Sequence, residues 1–301
     1  MSSVRIHYLN HASLLVEVGR VRILFDPWLE GTAFSGGWGL RYDNPEAFDL
    51  GATATHLWIS HWHSDHLHAP SLAKLAERNP DMVVLANVSA NFSMIDRMES
   101  FGFRDVRPLG EREPFELDDE TTCCRYPTAG IDNMLHIRSG SWALLNYNDC
   151  NLPAKAIRSL RRHIGPLDIL FTNYNHAGKL FDIVDDEARK GQLREILDLT
   201  VEALEPTRVV PFASNHYYRT SESADQNRST RTARCLASKT SMQWQGSMSD
   251  TLCRGSATKS SSRLPRARVF TRERPLCRTK RSRHTTTGPQ FPGTSSSRSS
   301  P

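Results

Sequence analysis

Three of the chain's twelve histidines fall within six consecutive positions, His61-Trp62-His63-Ser64-Asp65-His66. Imidazole nitrogens are preferred ligands for zinc and related divalent ions, and carboxylate oxygens complete such sites. In an extended loop, residues two apart point the same way, so His61 and His63 can chelate one ion. Asp65 and His66, beyond the bend, can face a second. A two-ion site also needs an anionic bridge. Asp149, in Asn146-Tyr147-Asn148-Asp149-Cys150, follows a predicted strand and can serve; its competing role is an N-cap for the helix that starts near Pro153. Asp26, in Asp26-Pro27-Trp28, also ends a strand, where it can ligate or, in preference, orient the metal histidines from behind. His216 follows the last strand and is the candidate to close the second ion's site. His11 and His176 are lesser candidates, and His136, inside a strand, reads as a packed core histidine.

A framework of strands and helices must bring these loops together. Residues 4–9, 14–18 and 21–25 read as β-strands, the last two joined in a hairpin at Gly19-Arg20. A loop over 28–42, rich in glycine and aromatics, comes next, and then a buried strand over 56–60 that ends at the histidine cluster. Helices are expected over 71–78, 89–100, 153–164 and 187–204. Strands are expected over 82–86, 103–107, 114–117, 122–126, 134–138, 142–147, 168–171 and 208–211. A β-rich half with helices, followed by another, fits two sheets packed face to face with helices outside. That is an αββα sandwich of the α+β class. No repeat of fixed short period is present, which argues against solenoids and propellers.

At these residues the sequence resembles the metallo-β-lactamase superfamily, whose hallmark is the His-x-His-x-Asp-His loop. The resemblance runs from about Val4 to Asp225. It implies a metallo-β-lactamase-like fold holding two divalent metal ions, with zinc the first expectation and iron or manganese tolerated by the same ligands. Three stretches are similar, more narrowly, to the metallo-β-lactamase-like domain of nucleotide-sugar hydroxylases of the CMP-N-acetylneuraminate hydroxylase type. They are Leu24-Phe25-Asp26-Pro27-Trp28-Leu29-Glu30-Gly31-Thr32-Ala33-Phe34, Ile59-Ser60-His61-Trp62-His63-Ser64-Asp65-His66-Leu67, and Pro211-Phe212-Ala213.

The chain departs from both patterns. Superfamily members usually supply a further histidine between the metal loop and the bridging aspartate, where this chain reads Thr128-Ala129-Gly130-Ile131-Asp132-Asn133. Either Asp132 substitutes as an oxygen ligand, or the first ion has three protein ligands. The hydroxylases also carry a Rieske iron–sulfur domain with Cys-x-His and Cys-x-x-His pairs. Cys123, Cys124, Cys150, Cys235, Cys253 and Cys277 offer neither.

Together these features imply a metal-dependent hydrolase in which a metal-bridged hydroxide attacks an ester, lactone or phosphodiester. Asp65 would take up or hand on a proton. Trp28 and Trp38 would line the pocket mouth against a sugar or base of a small-molecule substrate. The alternative is a non-catalytic or partner component of a split hydroxylase, whose Rieske iron–sulfur partner is a separate chain.

Composition bounds the rest. The net charge of +5 averages two unlike segments. Residues 228–301 hold 16 Lys/Arg against 2 Asp/Glu and 26 Ser/Thr, whereas 1–227 hold 22 basic and 31 acidic residues. The first 227 residues are expected to be the folded domain, and the basic tail to be disordered, since it lacks apolar runs to offset chain entropy. The change near Gln226 is abrupt enough that an out-of-frame C-terminus also fits. The acidic balance of 1–227 argues against a nucleic-acid groove there. No run approaches the ~18 apolar residues of a membrane span. With no leader pattern at Met1–His7 and unremarkable cysteine usage, a reducing cytoplasmic setting is expected.

Overall fold

The computed structural model describes residues 3–89, 92–173, 186–219 and 268–271; His176 lies outside them. The chain opens with an antiparallel meander of β1 (Ser3–Asn10), β2 (Ser13–Val18) and β3 (Val21–Phe25). The 28–42 segment is not all loop: it forms β4 (Thr32–Ala33) and β5 (Trp38–Leu40), and a short helix, α1 (Ala47–Gly51), follows. Next come β6 (His56–Trp58), α2 (Ala69–Arg78), β7 (Val83–Ser89), β8 (Phe92–Ser93), α3 (Met94–Phe101) and β9 (Asp105–Leu109). The helix expected from residue 89 starts only at Met94, because β7 runs on to Ser89 and pairs antiparallel with β8.

The second half repeats the plan. An antiparallel run of β10 (Pro114–Glu116), β11 (Thr121–Pro127), β12 (Asn133–Ser139) and β13 (Trp142–Asn148) leads into α4 (Ala154–Ile164). Then follow β14 (Ile169–Asn173), α5 (Asp186–Leu204), β15 (Arg208–Phe212) and β16 (His216–Tyr218). One more strand, β17 (Arg268–Thr271), comes from the segment expected to be an unstructured tail. It pairs antiparallel with β1, Ser3 opposite Thr271 and Ile6 opposite Arg268.

Two large sheets result, in the orders β17-β1-β2-β3-β6-β7-β8, with β9 beside β7, and β10-β11-β12-β13-β14-β15, together with a small third sheet, β16-β5-β4. Alternate residues of a strand face opposite sides, and here both sides are buried. Ile23 and Phe25 of β3 join Leu135, Ile137, Leu144 and Phe171 between the sheets. Leu24 faces the other way, packing with Leu72 and Leu75 of α2 and Met94 and Met98 of α3. On the far side of the second sheet, Ile157, Leu160 and Ile164 of α4 cover Leu145, Tyr147 and Leu170. Their spacing is that of one helix face. The order helix, sheet, sheet, helix is the expected αββα sandwich, a metallo-β-lactamase-like fold. Among the described residues, no helix is long and apolar enough to cross a membrane.

Strand direction decides where a site can form. In the first sheet, β3, β6, β7 and β9 are parallel, and β1 runs with β3 because both are antiparallel to β2. In the second, β13, β14 and β15 are parallel, and β12 enters beside the point where β13 leaves. The turn after β1, the carboxyl ends of β3, β6 and β13, and the residues before β12 therefore gather along one edge. Crevices at the carboxyl ends of parallel strands are where such sheets bind ligands.

Candidate metal centre

Four of the eight non-glycine residues with positive φ among the described residues lie along this edge. His11 (φ 23°), Asp26 (φ 40°), Asn148 (φ 42°) and Ala213 (φ 55°) occupy left-handed conformations without being glycine. Such residues cost on the order of 1–3 kcal/mol each and cluster at functional sites. All four lie at strand ends facing the crevice.

The histidine loop is tied down from behind. Asp26, with no exposed surface, accepts from Ser60 N at 2.7 Å and from Ser60 Oγ at 2.8 Å, and its Oδ2 lies 3.0 Å from His66 Nδ1. Ser60 Oγ in turn lies 3.0 Å from His61 Nδ1 and 3.3 Å from His66 Nδ1. The Nδ1 side of both rings is thus occupied, which leaves Nε2 to face the crevice. His61 Nε2 stands 2.9 Å from His63 Nδ1, the close approach of two donors aimed at one point.

The second sheet closes the crevice. His66 Nε2 lies 3.4 Å from Asp149 Oδ2 and 3.5 Å from Asp65 Oδ2, and Asn173 Nδ2 donates to Asp149 Oδ1 at 3.2 Å. Asp65 Oδ2 meets His11 Nε2 at 3.1 Å. Ligand atoms of His61, His66 and Asp149 lie within 4.8 Å of one another, as do those of His11, Asp65 and His66.

The electrostatics suit a cation. Burial opposes a charged ring at His66, yet the Asp65, Asp149 and Asp26 carboxylates outweigh it and hold the imidazole well above its ordinary range. At Asp65 burial pushes upward, but His66, the His11 hydrogen bond and the His11 ring keep the carboxyl below its usual range. Asp149 is lowered in the same way, burial being outweighed by His66. His61 carries less of this charge: burial, helped by its neighbour His66, pulls it down to about 3. Among the described residues, the ion pairs of Asp26, Asp65 and Asp149 all run to histidines rather than to Lys or Arg. Asp65 Oδ1 and His66 Nε2 are buried without a hydrogen-bond partner. Buried anions gathered around bare imidazole nitrogens are the donor set that a divalent metal fits.

The sequence-based candidates fall in three groups. His61, His66, Asp65 and Asp149 converge, with Asp26 behind them. Asp149 is not an N-cap: α4 is capped by Pro153, with no side-chain cap bond. His63 reaches His61 but is itself exposed. Asp132 Oδ1 lies 3.4 Å from His61 Nδ1, the nitrogen opposite the one that meets His63, so it orients the ring from the far side. Burial, then Asp149, raises its carboxyl.

Other candidates land differently. His216, expected to close the second site, stacks face to face on Trp38 at 3.9 Å and lies edge-on to His11 at 5.2 Å. It sits on β16, which pairs with β5 so closely that a Cβ at Gly39 would stand 2.6 Å from the Tyr217 ring. Trp28, expected at the mouth, is fully buried with Ala33, Trp38 and Tyr218, because the 28–42 segment folds into a small sheet over it. Trp38 is also buried. The exposed aromatic side chains nearby are Phe34 and Trp62, which with Ser64, His68 and Arg97 line an open cleft of about 850 Å³ next to the histidine loop, though none of the candidate ligands lines it. His136 is a buried strand residue, as expected.

Comparison with known proteins finds likenesses over part of the chain. Residues 5–121 match the model of the beta-lactamase superfamily domain. The human protein named inactive cytidine monophosphate-N-acetylneuraminic acid hydroxylase is 45% identical over 82 residues, covering 27% of this chain and 16% of the relative. The cytidine monophosphate-N-acetylneuraminic acid hydroxylase of Asterias rubens is 36% identical over 105 residues, or 35% of this chain and 16% of the relative. The chain thus matches about a sixth of the length of either protein. Among solved structures, a metallo hydrolase from the archaeon Ignicoccus hospitalis is similar at 18% identity and a TM-score of 0.48, covering 70% of this chain and 82% of its own.

Proposed function

We propose that the crevice is the active site of a metal-dependent hydrolase that acts on an ester, lactone or phosphodiester of a small molecule. The observation that carries this reading is the meeting of His61 and His66 from one sheet with Asp149 from the other, at ligand spacing and without a basic counter-charge. His61 and His63 hold one divalent cation, Asp65 and His66 hold a second, and Asp149 stands between them. Zinc suits this nitrogen and oxygen set first, with iron or manganese compatible, in a reducing cytoplasm. Such cations supply Lewis-acid activation of the electrophile and of water. Asp26 and Ser60 fix which ring nitrogens face the crevice. The buried, unpartnered Asp65 Oδ1 is placed to accept a proton and pass it to a leaving group. Phe34 and Trp62 flank the cleft where a planar part of the substrate would rest.

A second reading, a non-catalytic or partner component of a Rieske-type nucleotide-sugar hydroxylase, is favoured by the names of the relatives. Elemental analysis of the purified chain, followed by a screen of esters, lactones and phosphodiesters, separates the two. Two equivalents of metal with hydrolysis support the enzyme. A metal-free chain, or a loaded one that turns over none of these substrates until an iron–sulfur protein is added, overturns it.

A further inference from the structure

The hydrolase reading leaves the cation beside Asp65 and His66 in need of a further donor, and His216 is not among the residues whose ligand atoms lie within 4.8 Å of that pair. We infer that His11, at the turn between β1 and β2, is the missing ligand. The inference rests on that reading and goes beyond it in assigning a donor that neither the histidine loop nor the C-terminal strands supply.

Spacing is the first argument. Donors held about 2.0–2.2 Å from a common ion stand roughly 3.0–3.6 Å from one another. His11 Nε2 to Asp65 Oδ2 is 3.1 Å, Asp65 Oδ2 to His66 Nε2 is 3.5 Å, and His66 Nε2 to Asp149 Oδ2 is 3.4 Å. The ligand atoms of His11, Asp65 and His66 therefore lie together at the spacing of one coordination shell, while Asp149 groups with His61 and His66 on the other side of the shared ring. The side chains of His11, Asp65 and His66 are at most 3% exposed, so water cannot readily take the place of any of them.

The second argument is the effort with which the fold aims this ring. The pairing of β1 with β2 breaks register between Tyr8 and Asn10, an irregularity of the kind that redirects side chains next to active sites. His11 then adopts φ 23° and is clamped there. Tyr8 Oη donates to its carbonyl at 2.6 Å, Ala213 N to the same carbonyl at 2.9 Å, and its own N–H reaches Asn10 Oδ1 at 3.1 Å. Trp28 and His216 each present their rings edge-on to it at 5.2 Å. His216, stacked on Trp38, accordingly acts as the wall that holds His11 in place.

Cobalt(II) loading of the full chain tests the assignment, because each ligating imidazole contributes one exchangeable ring N–H resonance shifted far outside the diamagnetic proton range. Asn is the replacement of choice at position 11, since it tolerates positive φ and its amide stops short of the position that the His11 Nε2 occupies. His11→Asn is expected to lose one shifted resonance and to bind the second cobalt equivalent about 100-fold more weakly. His216→Asn should keep all the shifted resonances, and circular dichroism checks that both variants are folded. Should His11→Asn fail to fold, His216→Asn still decides: loss of a ligand resonance there gives the donor role to His216 and overturns the inference. Two equivalents and a full set of resonances in His11→Asn overturn it while leaving the hydrolase reading intact. A wild-type chain that takes up no cobalt overturns both.

Discussion

His66 and His136 are both buried imidazoles, and the structure treats them in opposite ways. His66 ends the histidine loop among the carboxylates of Asp26, Asp65 and Asp149, which overcome burial and favour a positive charge there. His136 lies within β12, with Cys124 of β11 and Leu145 of β13 as its strand neighbours. There burial, reinforced by Arg138, drives its pKa down to about 4. The difference teaches what makes a buried histidine functional. A hydrophobic strand position yields a neutral packing group, while a crevice that collects anions from several strands yields a candidate cation site.

The largest expected effect comes from removing the ring that both ligand groups share. His66→Ala should abolish stoichiometric metal uptake, read by elemental analysis, whereas His136→Leu should leave uptake unchanged. Equal metal content in His66→Ala and the parent would break the comparison outright. Asp26→Asn comes next. It puts an amide where a buried carboxylate accepts two hydrogen bonds from Ser60 and faces His66, so metal affinity should fall by about 10–100-fold. Stability in urea should also drop by about 3–5 kcal/mol.

His136 sharpens the comparison through pH. Its folded-state pKa lies below the unfolded value of 6.5, so the unfolded chain binds a proton that the folded chain refuses. Its contribution is complete above pH 6.5 and is lost as pH falls toward 4, by about 3 kcal/mol over that window. Urea unfolding at pH 7 and pH 4.5 should show a smaller acid loss in His136→Leu than in the parent. Identical losses would mean that the ring does not titrate as its burial implies. The smallest effect is expected at Asp132, which touches His61 from the side away from His63. Asp132→Ala should weaken metal binding only a few-fold, by roughly 1 kcal/mol or less for a partly exposed pair. A hundredfold loss would make it a ligand.

Much of the architecture was legible because it rests on local pattern. Both faces of the central strands are buried, so their apolar runs stood out, and α4 announced itself by Ile157, Leu160 and Ile164 on one face. The strands β4, β5 and β16 were not legible, since each is two or three residues long and exists only by pairing across distant sequence. Trp28 was misplaced for the same reason, as its burial depends on that small sheet.

The site divides along the same line. The run from His61 to His66 is local, so residue type and spacing alone declared a candidate metal loop. Which other side chains reach that loop depends on strand direction and register, which bring residues 11, 26, 132 and 149 to one edge from four separate strand ends. A lone His11 on the far side of a strand turn carries no signal in one dimension. It gains a role only because β1 runs parallel to β3 and a break in register turns its ring toward Asp65.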